Sequence, residues 1–222
     1  MNINLGYNFK NKDLIQTALT HTSFSHENKN IENNEKLEFL GDAVLELVIS
    51  SYIFKKFNEL SEGELTKLRA SIVCEESLAA KSKSLNIGEN LRLGKGEEQS
   101  GGRNRSSLLA DAFEAIIGAI YIDSNDINVV SKFIINQMEE DIFEKKKNFL
   151  KNDCKTYLQE LIQKDSKIPI EYEIISEEGP AHNKIFTVQV SHEGKILGVG
   201  KGKSKKDAEQ NAAQLAIFKI EQ

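Results

Sequence analysis

Asn34-Glu35-Lys36-Leu37-Glu38-Phe39-Leu40-Gly41-Asp42 concentrates more potential chemistry than any other stretch of this chain. At 100° per residue, Glu35, Glu38 and Asp42 share an arc of about 60° on one helix face, with Glu46 a turn further on. Leu37, Leu40, Val44, Leu47 and Val48 occupy the opposite side and give the helix a reason to pack. A second segment offers Asp111 and Glu114 at i, i+3, above an apolar side of Leu109, Phe113, Ile116 and Ile120. Ala115 and Gly118 flank that pair, so another helix can approach closely there. Like charges at these spacings cost a helix a few tenths of a kcal/mol per pair, and no lysine at matching spacing relieves the first arc. A hard divalent cation such as Mg²⁺, which takes carboxylate and water oxygens, would offset the repulsion. A solvated acidic face satisfies the same periodicity, and spacing alone does not choose between them.

Other residues carry weaker signals. Phe39 falls on the acidic side of its helix, away from the Leu/Val core, where either a loop or a partner subunit could cover it. His21 and His26 are spaced i, i+5 with no cysteine near, and His21 reads as a hydrogen-bonding structural histidine. Gly94 to Arg105 lacks GxxxxGK, so it is no phosphate-binding loop; it reads as a linker, or as a mobile and mildly basic loop. No Ser/His/Asp or Cys/His nucleophile set stands out. Cys74 and Cys154, only two and far apart, exclude a disulfide framework and cysteine-based zinc sites, which points to a reducing cytoplasm. Ser204-Lys205-Lys206-Asp207 opens the last helix, after Lys201 and Lys203. Its free N–H groups and lysines favour an anion such as a phosphate backbone, although a solvated lysine turn has the same sequence.

These groups must be positioned by two different kinds of structure. Before Pro169 there is no proline, and helical periodicity covers roughly 11–20, 35–57, 62–85, 106–122 and 126–146. Ser61 and Glu64 form a capping box for the third of these. After the charged run Glu144-Lys145-Lys146-Lys147 the pattern changes, which marks a linker at 148–153 between units 1–147 and 154–222. A helix over 154–164, strands at 170–176, 184–191 and 195–201, and a helix from Ser204 to Ile220 give the second unit an α-β-β-β-α order. Phe186, Val188 and Val190 alternate with polar residues, as in a sheet with one buried face. Ala208, Ala212, Leu215 and Ala216 would let the last helix lie close on that sheet. Residues 1–150 hold 18 basic and 23 acidic side chains, and residues 151–222 hold 11 of each, so the whole net charge of −5 lies in the first unit. The composition, 39% hydrophobic and 28% charged, suits a soluble globular protein. No apolar core follows a basic head at the N-terminus, and the longest apolar stretch, Ala115 to Ile122, is too short to span a bilayer, so neither a secretory signal nor a membrane anchor is expected.

Asn34 to Asp42 as a block, with Glu62-Gly63 and Asp111-Ala112-Phe113-Glu114-Ala115, resembles the catalytic domain of bacterial ribonuclease III. Gly179-Pro180-Ala181-His182 with Phe186, then Lys205-Lys206-Asp207-Ala208-Glu209-Gln210-Asn211-Ala212-Ala213, resembles the double-stranded RNA-binding domain that follows it. The match covers practically the whole chain in family order. It implies an all-α endonuclease domain followed by a small α+β (α-β-β-β-α) RNA-binding domain. By the same resemblance, Glu38, Asp42, Asp111 and Glu114 hold Mg²⁺, for which Mn²⁺ could substitute. Asp42 and Glu114 are then catalytic, with Glu114 the ligand most critical to cleavage, and Glu35 and Glu62 are auxiliary acids. Phe39 matches an aromatic that inserts into the partner subunit of a homodimer. Thr156, Gln159, Glu160 and Gln163 match minor-groove contacts, His182 reaches the neighbouring minor groove, and Lys205 and Lys206 grip phosphates between. One departure is mild: Lys36 stands where arginine is frequent. The implied activity is Mg²⁺-dependent cleavage of both strands of an RNA duplex, leaving 3′ overhangs and processing precursors of rRNA and of some mRNA and tRNA. The alternative is a protein that binds duplex RNA without cutting it.

Overall fold

The computed structural model describes residues 3, 5–152, 154–163, 166–180 and 184–220. Two units divide the chain, Met1–Lys145 and Lys146–Gln222. The first is helical: α1 (Lys12–Ala18), α2 (Thr22–Glu27), α3 (Glu35–Lys56), α4 (Glu62–Ile72), α5 (Glu75–Ser84), α6 (Ile87–Asn90), α7 (Lys95–Gln99), α8 (Ser106–Ser124) and α9 (Ile127–Asn152), which runs on past the boundary. The expected capping box opens α4, with Glu64 N–H donating to Ser61 Oγ (3.3 Å) and Ser61 N–H to Glu64 Oε2 (2.7 Å). The periodicity expected to run unbroken from 62 to 85 is interrupted at Val73 and Cys74, giving α4 and α5. Residues 148–152, read from the sequence as linker, are helical.

Helix α8 is apolar on nearly every side, and the reason is that it lies inside the unit. Leu109, Ala112, Phe113, Ala115, Ile116, Ile117, Ala119 and Ile120 are wholly buried. Against it α3 contributes Val44, Leu45, Val48, Ile49 and Ile53. Leu47, expected in this core, is instead 57% exposed. The two helices touch backbone to backbone. A Cβ built on Gly41 would sit 1.8 Å from the Glu114 carbonyl oxygen, and one on Gly118 would sit 2.2 Å from that of Leu37. Small residues were expected to admit a close helix beside Asp111 and Glu114; α3 is that helix.

The glycine-rich stretch 94–105 is tied down rather than loose. Arg103 Nη1 donates to the carbonyls of Gly88 (2.9 Å), Glu89 (3.2 Å) and Leu91 (2.8 Å), and its Nε and Nη2 meet Glu98. Arg105 pairs with Glu97 at 2.7 Å. Both arginines are thus spent on structure, which corrects the expectation of a mobile basic loop.

The second unit holds α10 (Cys154–Gln163), β1 (Glu171–Glu178), β2 (Ile185–His192), β3 (Lys195–Gly202) and α11 (Lys205–Ile220). The sheet is antiparallel in the order β1-β2-β3, with Val188 opposite Gly200 and Val190 opposite Gly198. Glu193 and Gly194, both at positive φ, make the two-residue turn of the β2–β3 hairpin. Cys154, Leu158, Val190, Ala212, Ala213 and Ala216 form its core. The close approach of α11 needs small residues on both partners: Gly198, Gly200 and Gly202 of β3 lie directly under the Ala208, Ala212 and Ala216 stripe.

Candidate functional site

The α3/α8 crossing brings the two acidic arcs face to face. Asn34 is buried at the start of α3 and its N–H donates to the Thr20 carbonyl (2.9 Å), which fixes where the helix begins. From there α3 presents Glu35, Glu38, Asp42 and Glu46, and α8 presents Asp111 and Glu114. Glu38, Asp111 and Glu114 are half-buried, while Glu35, Asp42 and Glu46 are exposed.

Electrostatics registers the grouping. The Glu114 carboxyl is pushed up to about 8 by burial and by the charges of Asp42, Glu38, Asp111 and Glu46. Glu38 is raised by burial, then by Asp111, Glu35 and Asp42. Asp111 is raised by burial and by Glu75 of α5, against the opposing pull of His21. Each of the three partly buried acids is therefore pushed towards its protonated form, by burial first and, for Glu38 and Glu114, by the neighbouring carboxylates as well.

Among the described residues, no three His, Cys, Asp or Glu side chains stand close enough to hold a metal ion as they are placed. The backbone thus sets the acids opposite one another without closing them into a cage. The chemistry of the donor set still fits a hard divalent cation: carboxylate oxygens only, partly desolvated, mutually repelling, and with no lysine or arginine among the groups that act on Glu38, Asp111 or Glu114.

Not every expected acid joins this group. Glu35 does, as a charge acting on Glu38, while also accepting from Asn33 Nδ2 at 3.0 Å. Glu62 does not act on these carboxylates. It accepts from Thr66 Oγ1 (3.2 Å) and lines a separate hollow of about 530 Å³ with Ser50, Ile53, Phe54, Leu65 and Arg69. Glu46, which the sequence assigned to solvated surface, is exposed yet within electrostatic reach of Glu114. Glu75 and His21 beside Asp111 were missed as neighbours, because a helical wheel describes one helix and neither residue lies on α3 or α8. Phe39 stands 79% exposed, with Phe54 of the same helix at 69%.

In the second unit Thr156, Gln159, Glu160 and Gln163 are all exposed, and their i, i+3, i+4, i+7 spacing sets them along one side of α10. Lys205 and Lys206 are exposed in the first turn of α11. Lys205 Nζ lies 3.9 Å from Glu177 and 5.9 Å from the Phe186 ring centre. Ser204 Oγ accepts the Asp207 N–H at 3.1 Å, which leaves other N–H groups of that turn free. His182 lies outside the described residues.

Residues 11–142 match the family described as Ribonuclease-III-like, and residues 154–220 match the double-stranded RNA binding motif. The protein called Ribonuclease 3 of Clostridium botulinum (strain Eklund 17B / Type B) is 51% identical over 217 residues, which covers 98% of this chain and 93% of that one. That of Listeria innocua is 50% identical over 221 residues, covering 97% and 94%. Among solved structures, the nuclease domain of ribonuclease III from Campylobacter jejuni, described for flexibility in a region involved in dimer formation, aligns at 46% identity. Its TM-score is 0.57, and the alignment covers 61% of this chain and 92% of that one. Dicer from Pichia stipitis aligns at 25% identity with a TM-score of 0.50 over 96% of each chain.

Proposed function

The chain belongs to the ribonuclease III family, and from that premise we propose that it cuts both strands of duplex RNA with Mg²⁺ held by Glu38, Asp42, Asp111 and Glu114. Cleavage leaves 3′ overhangs and serves the processing of structured precursors of rRNA and of some mRNA and tRNA. One observation carries the reading: the Gly41/Gly118 contact sets four acids from two helices opposite one another, with their repulsion unrelieved by lysine or arginine. A protein that only coated duplex RNA would have no need of that arrangement.

Phosphodiester hydrolysis needs an activated water, relief of charge on the phosphate and a stabilised leaving oxygen. Bound divalent metal supplies charge relief, activation and in-line orientation in such sites. The residues of this chain do the rest. The helix crossing fixes four Cα positions, so only side-chain rotation, two or three torsions per acid, remains to close the donor set. Asp42 and Glu114, one from each helix, act directly in cleavage. Glu35 and Glu62 are auxiliary acids, Glu35 adjoining Glu38 and Glu62 lying at the separate hollow. Acid groups repel RNA, so attraction falls to the second unit. There Thr156, Gln159, Glu160 and Gln163 lie along one groove, His182 reaches the next, and Lys205 and Lys206 hold phosphates between. Recognition of this kind rests on 2′-hydroxyl and backbone shape more than on sequence.

The protein acts as a homodimer. Phe39 is too exposed on the single chain to be explained by its own fold, and the hollow lined by Phe54, Ile53 and Leu65 has the apolar lining to receive such a ring from a second copy. No described helix is long and apolar enough to cross a membrane. Cys74 and Cys154 are not in a disulfide, and a cytoplasmic setting suits the chain. The domain division follows the same reading: a catalytic domain over 1–147, a linker at 148–153 and an RNA-binding domain over 154–222.

Incubation with a long perfect RNA duplex, with and without Mg²⁺, tests the activity, the expected products being short, staggered and metal-dependent. Glu114→Ala is expected to lose cleavage and keep duplex binding. Comparable cleavage by that variant would remove Glu114 from the metal set, and binding without any cleavage by the wild-type protein would favour the non-catalytic alternative.

A further inference from the structure

Two lysines of the second unit converge on one carboxylate. Glu177 of β1 stands directly across from Phe186 of β2 in the sheet register, so the two side chains leave the sheet on the same face. Lys184, two residues ahead of Phe186 and just before β2 begins, reaches that face too. Its Nζ donates to Glu177 Oε2 at 2.9 Å and lies 6.0 Å from the Phe186 ring centre. Lys205, the first residue of α11, brings its Nζ to 3.9 Å from Glu177 Oε1 and 5.9 Å from the same ring. Aromatic faces attract cations out to about 6 Å, so both lysines have a reason to stay there besides the carboxylate.

Each ammonium group thus meets its own oxygen of Glu177. The hydrogen bond from Lys184 holds the Glu177 carboxyl below the usual range; desolvation opposes this, and the charges of Lys184 and Lys205 add to the lowering. Glu177, Lys184 and Lys205 are all exposed, and an ion pair in that position costs little to open. A carboxylate carries one negative charge on two oxygens, and a phosphodiester carries the same charge on its two non-bridging oxygens. Lysines placed to hold the first are placed to hold the second.

We propose that Lys184 and Lys205 form a single seat for a backbone phosphate of duplex RNA, which Glu177 fills in the free protein and yields when RNA binds. Lys184 is thereby a further RNA-binding residue, and Glu177 an internal competitor that lowers affinity. The inference rests on the reading of this unit as the one that binds duplex RNA.

The test is binding of the full chain to a long perfect RNA duplex without divalent metal, so that nothing is cut. It is read by fluorescence anisotropy over a series of salt concentrations, beside thermal unfolding. Lys184→Ala is expected to unfold like wild type, bind more weakly and lower the slope of log K against log salt by about 0.9, one phosphate's worth. Lys184→Arg should keep the wild-type slope. Glu177→Gln keeps the shape and removes the charge, and should bind about threefold more tightly, the scale of a surface ion pair that no longer has to be given up. Glu171→Gln makes the same change in net charge about 20 Å away along β1, beyond the screening length, and should bind like wild type. Wild-type affinity and slope in Lys184→Ala, or a Glu177→Gln protein that binds no more tightly than Glu171→Gln, would overturn the proposal. Absence of duplex binding by the wild-type protein would instead overturn the RNA-binding reading and this inference with it.

Discussion

Gly41→Ala puts the helix crossing to a direct test. The added methyl would sit 1.8 Å from the Glu114 carbonyl oxygen, where ordinary contact begins at 3.4 Å, so about 1.6 Å must be found by parting the helices. The obstacle is backbone on the central, largely buried helix α8 and cannot swing aside as a flexible side chain would. Overpacking of this kind costs about 3 kcal/mol at the upper end of its usual range, while removing a glycine from a helix interior returns about 1 kcal/mol. The net loss of about 2 kcal/mol corresponds to a fall in Tm of roughly 4–8 °C for a chain of this size. Function should suffer more than stability. The displacement moves Glu38 and Asp42 bodily away from Asp111 and Glu114, and an error of 1 Å in such a site costs about a hundredfold in rate. The assay is thermal unfolding of the full chain by circular dichroism, with initial cleavage rates on a perfect duplex at saturating Mg²⁺. Gly63→Ala serves as the control, since a Cβ there meets nothing within 4 Å; it should be neutral or slightly stabilising. A Gly41→Ala protein that unfolds at or above the wild-type temperature and cuts at the wild-type rate would refute the crossing as the device that assembles the acids.

Replacing both Lys205 and Lys206 by alanine should weaken duplex binding and lower the slope of log K against log salt by about 1.8, two phosphates at about 0.9 each; an unchanged slope would remove both contacts. Phe39→Ala leaves the core of the single chain untouched, so its circular dichroism should match wild type. Its dimer constant in sedimentation should weaken by about thirtyfold, the usual effect of a buried aromatic anchor worth about 2 kcal/mol, and a dimer as tight as wild type would refute the assignment. Asp123 accepts the N–H groups of Lys10 (2.9 Å) and Asn11 (2.8 Å) and the Tyr7 hydroxyl (2.7 Å), which together hold its carboxyl below the usual range. A depressed pKa contributes stability that is fully present above the unfolded value of about 3.9 and is lost as pH falls through the folded one. Asp123→Asn should therefore flatten the acid limb of the stability profile below about pH 4, seen by urea titration at several pH values, and an identical limb would exclude the clamp.

Much of this protein was legible in its residues. The acidic arc of 35–42 and the Asp111/Glu114 pair follow from a 3.6-residue period, which is a local property of one helix. The capping box at Ser61 is local in the same sense and is found in the structure, and so is the period-2 alternation of β2 except at Thr187, which is buried where the pattern turns it outward. The α-β-β-β-α order of the second unit follows from them, as does the alanine stripe that α11 lays on the sheet.

What escaped the sequence depends on partners remote along the chain. A wheel put Leu47 in the core, but α3 has only one covered side and Leu47 lies beyond its edge. Arg103 and Arg105 read as a basic loop because the carbonyls and carboxylates that claim them cannot be seen in a linear string. Glu62 has the same charge as Glu38, yet only the packing of α4 decides that it faces the hollow beside Phe54 and not the acids of α8. His21 and Glu75, whose charges act on Asp111, show no spacing to it along the sequence, lying ninety and thirty-six residues away. Composition and period chose the acids and the helices that bear them. Which acids meet was decided by two glycines that let α3 and α8 touch, because such contact depends on distance in space and leaves no period in the sequence.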